Sequence, residues 1–265
     1  MGCFLCAYER SHLPQGTIFE KRAAHGYFLL AAAGSTVHQP EWVRANYGLD
    51  ECRFYPPIYR NDTIQVRLTC KEKVERDPKG KEHPSGVVKW YEEIFDQNGE
   101  LVAMATILTL VQKKSPFPEI NRKYLEEKFD ALTENTKSSW GLMTAQHMVE
   151  HFEFFINMAL GKVPCEIVTP ADRVEKFQES LWNYFPMPKS FDHPVLKKGE
   201  TEELNHANLV EAKKAFFAAY DELELFFKNN PNATVPNPVF GNLDAYDWYL
   251  LSRKHFAHHF EQFGI

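Results

Sequence analysis

The feature that most restricts how this chain can fold is a change of hydrophobic period near residue 113. Before that point apolar residues alternate along the chain; after it they recur every three to four positions. In residues 64–74, Ile64, Val66, Leu68 and Cys70 fall on one side, with Gln65, Arg67, Thr69 and Lys71 on the other. That is the period of a half-buried strand. Residues 86–96 are rich in Val, Trp, Tyr and Ile, Asn98-Gly99 is a turn signal, and residues 101–111 return as a largely apolar strand. Residues 86–111 are therefore expected to form a hairpin. Ahead of the strands, residues 23–34 are apolar nearly all round, which predicts a buried helix with Gly34 as its stop.

One buried helix followed by antiparallel strands implies a sheet wrapped on that helix, the hotdog arrangement of α+β proteins. Pro116 and Pro118, set among polar residues, mark a linker. Beyond it the helical period predicts helices over residues 122–133, 144–160, 171–184, 209–228 and 244–263. Thr144 and Asp244 stand where caps are expected, and proline-rich connections separate several of the helices. The expected organisation is a hotdog unit over 1–113, a linker over 114–120 and an all-α four-helix bundle over 121–265.

A formal charge of −6 argues against a general nucleic-acid binder. No apolar run approaches the ~20 residues of a membrane span, and the first residues lack the basic start of a signal peptide. A cytoplasmic protein is expected. An odd count of five cysteines points to free thiols, and Cys3 with Cys6 reads as a chance pair rather than a metal or redox site.

The histidines are unevenly spread. His255 and His259 lie one turn apart on the last expected helix, with His258 beside them; His147 and His151 share the helix that begins near Thr144. Two histidines from one helix and a third from a facing helix would supply three nitrogen ligands and leave a position open, the usual form of a catalytic metal site. On spacing alone, capping, pairing with a carboxylate or simple exposure are the commoner roles of histidines on helix faces. The stretches WGLMTAQHMVEHF, PNPVFGNLDAYDW and KHFAHHFEQFG resemble the DinB-like superfamily of four-helix bundles. That resemblance implies a divalent metal, zinc or nickel, on His151, His255 and His259, with His147 outside the ligand set. Relatives of that superfamily transfer thiols or isomerise thiol adducts.

The stretches FEKRAAHGYFLLAAAG, ANYGLDECRFYPPIYRNDTIQVRLTCKEK and ILTLVQKK are similar to the MaoC-like hydratase domains of phenylacetate-degradation bifunctional enzymes. The resemblance implies an acyl-CoA thioester as substrate, oxepin-CoA hydrolase-type chemistry and pairing into a homodimer. Such a reaction needs a carboxylate and a histidine to activate water, and N–H donors for the developing oxyanion. Gly26, where the first helix begins, is the candidate donor. The family's Asp and His precede the Ala-His-Gly-Tyr motif by an interval that falls near Gly2 and Ala7 here. Neither can move a proton, so the domain is expected to be truncated or catalytically impaired, with a non-catalytic binding or assembly module as the alternative. Arg22, Arg44, Arg53 and Arg60 are candidates for CoA phosphates. The aromatic stripes at Phe152, Phe154 and Phe155 and at Phe216, Phe217 and Tyr220 read as core.

Overall fold

The computed structural model describes residues 23–36, 43–189 and 203–265. The chain divides into two compact units. One comprises Met1–Asp77 and Pro84–Lys114, the other Pro78–His83 and Ser115–Ile265.

In the first unit, helix α1 (Gly26–Thr36) lies on four antiparallel strands: β1 (Val43–Phe54), β2 (Gln65–Arg76), β3 (Ser85–Phe95) and β4 (Leu101–Gln112). Their order is β1-β4-β3-β2. Ile94 stands opposite Ala103 and Glu92 opposite Ala105, so these four share the face that meets the helix. Leu29, Leu30 and Ala33 of α1 pack there against Ile94, Ala103 and Ala105, with Cys52 and Val66 partly buried beside them. Alanines at 103 and 105 keep that face shallow enough for a helix to approach.

Two expectations change. The helix starts at Gly26 and runs through Gly34 to Thr36, and Tyr27 and Phe28 stay 64% and 46% exposed. It therefore buries one face rather than its whole circumference. Strand β1 was not anticipated, because its sequence is polar and holds Gly48. It pairs with β4 through three register shifts, and Glu51 takes φ 52°. A bulged edge strand of this kind does not show a clean period of two.

The second unit holds α2 (Arg122–Asp130), α3 (Ala145–Ala159), α4 (Ala171–Trp182), α5 (Leu209–Asn229) and α6 (Ala245–Phe263). Every expected helix is present. The Thr144 and Asp244 side chains accept from the backbone N–H groups of His147 and Asp247. Phe129, Phe152, Phe216, Phe256 and Phe260 fill the core, with ring centroids 4.8 Å apart for Phe129–Phe216 and 4.3 Å for Phe152–Phe256. The segment expected as a linker is tied down: Ile120 is buried, and the Arg253 guanidinium donates to the carbonyls of Phe117 and Pro118. The proline-rich connection after α5 forms a small hairpin of β5 (Val235–Asn237) and β6 (Gly241–Leu243). Asn237 Oδ1 holds its turn by accepting from Val239 N and Phe240 N at 3.0 and 3.1 Å.

Buried Lys254 donates to Ser180 O, Asn183 Oδ1 and Phe185 O at 2.7, 2.9 and 3.2 Å, so its ammonium caps the carbonyl end of α4. Burial pushes its pKa down to about 8. Cys52, Cys70 and Cys165 are free thiols, and Cys3 and Cys6 lie outside the described residues. Among the described residues, no helix is long and apolar enough to cross a membrane.

Candidate metal centre

The start of α3 sets the phase of everything below it. Thr144 caps the helix, and His147 closes the box: its Nδ1 accepts from Thr144 N at 3.3 Å and lies 2.7 Å from Thr144 Oγ1. His147 is thus occupied at the surface, while His151, one turn on, faces α6. There its Nε2 lies 2.9 Å from His255 Nε2, which lies 3.2 Å from His259 Nε2. The three ligand atoms all lie within 4.8 Å of one another. For metal–nitrogen bonds of about 2.0–2.1 Å, the edge of a tetrahedron is roughly 3.3 Å, so the two short separations are near those of nitrogens sharing one ion.

Hydrogen bonding among the rings does not account for the cluster as well. His259 Nδ1 lies 2.7 Å from Gln262 Oε1, and Gln262 Nε2 donates to Trp140 O at 2.7 Å. The amide is therefore oriented with its oxygen toward the ring, so His259 carries its proton on Nδ1 and turns a lone pair on Nε2 inward. One proton on His255 Nε2 can point at His259 or at His151, not squarely at both. Burial lowers the pKa of His259 to about 4, which keeps the ring neutral and a competent ligand. Phe155 and Phe152 pack against the cluster, with centroids 4.5 Å from His255 and 5.5 Å from His259. The donor set and its spacing fit a divalent ion of the zinc or nickel kind.

A cavity of about 220 Å³ opens onto the three rings. Its walls include Trp140, Met143, Phe154, Met158, Met187 and Phe240. Phe155, read from the sequence as core, is buried there with Phe154 packed against it, and both also line the cavity. His258 also borders it. Burial lowers its pKa, against a raising hydrogen bond to the Met187 backbone. Lys189 stands at the wall with its Nζ 4.0 Å from the centre of the Trp140 ring and 3.0 Å from Glu261. Ser139 N donates to Gln262 O at 2.7 Å, so Gln262 grips the 139–141 loop by both side chain and backbone. Gly141 sits there with φ +77°, and a Cβ on it would lie 2.8 Å from Gln262 Nε2. Gln262 was missed in the sequence, although its spacing of three from His259 on one helix was a usable signal.

The first unit offers a different arrangement. Gly26 opens α1, and the His25 ring accepts from Tyr27 N at 3.3 Å. A Cβ at Gly26 would lie 2.7 Å from the ring of Phe54, which is 43% exposed, so a larger residue there would displace that ring. Gly2 and Ala7, where the dyad would fall, lie outside the described residues, as does Arg22. Arg44 reaches Gln112, and Arg53 donates to the neighbouring Cys52 carbonyl at 3.1 Å; these exposed pairings do not converge. The sequence reading passed over Glu92. It is 1% exposed, neither carboxylate oxygen has a hydrogen-bond partner, and burial raises its pKa.

These features define a two-unit protein, a hotdog-type α+β unit and a helical unit that gathers three histidines under a cavity. Residues 11–89 match the family model of the MaoC like domain, so the first unit carries a MaoC-like hotdog domain. Protein MaoC of Klebsiella aerogenes is 54% identical over 61 residues, 22% of this chain and 18% of that protein. The chain thus spans under a fifth of that curated relative. Among solved structures, a monoamine oxidase regulatory protein from Archaeoglobus fulgius is 33% identical, covering 38% of this chain and 67% of that one, with a TM-score of 0.34. An R-hydratase from Pseudomonas aeruginosa is 25% identical over 40% of this chain and 67% of that one, with a TM-score of 0.28. The fold rests on the strand order and register given above rather than on these superpositions.

Proposed function

We propose that the helical unit is a metal-dependent enzyme of DinB-like type, with one divalent ion on His151, His255 and His259. The observation that carries this reading is the convergence of three Nε2 atoms beneath a cavity. An ion bound there would supply Lewis acidity and lower the pKa of a donor in its open position. The chain's own contributions are then distinct. Gln262 holds the tautomer of His259, and the apolar walls limit the water that reaches the centre. Elemental analysis of protein grown with supplemented zinc or nickel should find about one ion per chain, as a single three-histidine site requires, and His255→Ala should lose it. Protein that stays free of metal under those conditions would remove the reading.

A second reading concerns the first unit. We infer that it binds an acyl-CoA thioester, as an oxepin-CoA hydrolase-type domain of phenylacetate catabolism would, and that two copies pair. The 54% identity to Protein MaoC over 61 residues supports it, together with Gly26 at the start of α1. With glycine and alanine where the dyad is expected, binding without turnover is the predicted behaviour. Calorimetry with phenylacetyl-CoA, and light scattering for the dimer, test it. Absence of heat at millimolar thioester would count against binding.

A further inference from the structure

Three imidazoles are neutral ligands. A divalent ion on them keeps its whole charge unless something else compensates it. Among the described residues that line the cavity there is no aspartate or glutamate, and the one charged side chain is a cation, Lys189. Glu261 is engaged with that ammonium at 3.0 Å. A doubly charged centre walled by aromatic and thioether groups favours an anion in its fourth position far more than it would in water.

The walls restrict what else that anion carries. Met143, Phe154, Met158, Met187, Val239 and Phe240 offer almost no hydrogen bonds. The polar groups at the wall are largely spoken for: Gln262 by His259 and Trp140, Asn237 by its own turn, His258 by the Met187 backbone. A sugar or peptide would leave polar groups unpaired there, at about 1–3 kcal/mol each. The third restriction is on the part of the ligand that lies inside the cavity, whose mouth is open. An apolar cavity of about 150 Å³ holds a benzene molecule, so about 220 Å³ holds one ring and a small donor group. Methionines allow the walls to adjust to its outline.

We infer that the open position of the three-histidine centre takes the anionic end of a compact apolar molecule of about phenyl size. The inference rests on the metal-centre reading and adds the ligand class to it. The test uses the full chain loaded with Co²⁺, whose visible bands report the coordination sphere. Benzoate, acetate and benzamide are titrated in turn: the first two share a donor, the first and third share a body. Benzoate is expected to shift the bands with an affinity about tenfold or more above that of acetate, from burial of the ring, and benzamide to leave them unchanged. Equal affinities for acetate and benzoate, or a benzamide response matching that of benzoate, would overturn the inference. Met187→Trp, which narrows the cavity from a loop, should weaken benzoate and spare acetate; equal loss of both would also overturn it. Failure of the metal-centre reading has a separate signature, a folded helical protein that shows no Co²⁺ bands at all.

Discussion

Each unit buries titratable groups, and the two do so in opposite ways. In the helical unit three histidines point inward, one of them oriented by Gln262, which is itself tied to a loop carbonyl. In the sheet unit Glu92 sits alone under α1 with both oxygens unpartnered. The first arrangement has polar atoms organised about a common point; the second has a polar group without organisation. Burial of charge therefore does not by itself mark a site. Convergence and orientation of the buried atoms do.

The largest expected effect tests the scaffold of the organised region. Phe216→Ala removes a fully buried ring between α3, α2 and α6. It should destabilise the helical unit by about 3–5 kcal/mol in denaturant unfolding. A loss below 1 kcal/mol would mean that the core repacks, and that the histidines are held more loosely than described.

Next comes the orientation itself. Gln262→Leu keeps the volume and removes the amide, so metal affinity should fall about 10- to 100-fold while helical content stays constant. Unchanged affinity would reduce Gln262 to a loop anchor.

A smaller effect separates the lone carboxylate from the cluster. Burial raises the pKa of Glu92, so its neutral form suits the folded state. The stability it permits is present below its ordinary value and is lost as pH rises through the raised folded value. Glu92→Gln should therefore gain stability over the parent, on the order of 1 kcal/mol, at neutral pH. The gain should shrink toward zero as pH falls to about 4. A gain that is the same at both pH values would mean that ionisation of Glu92 is not its source. An effect of similar size is that of Thr144→Ala, about 1 kcal/mol from the lost cap, read by thermal unfolding.

Much of this was legible because the helical period and its caps are local signals. The five helices of the second unit, and the i,i+4 pair His255 and His259, follow from spacing; the assignment of His151 over His147 came with a family resemblance. What was not legible depends on distant partners. Strand β1 owes its existence to pairing with β4 across bulges, not to alternation. The exposure of Tyr27 and Phe28, the role of Lys254 at the end of α4 and the cavity-facing turn of Phe154 are set by packing, which a linear pattern does not encode. Trp140 and Met187 reach the cavity from loops, where no periodicity announces them.

Gly141 has no side chain to offer, yet any it acquired would strike the amide that steers His259, and its backbone sits where other residues are strained. Sequence drift at 141 would be felt two links away, as a rotated imidazole. A survey for chains that share this centre should therefore demand glycine in the loop as strictly as histidine on the helix. Its absence would be an early mark of a lineage in which the centre has fallen out of use.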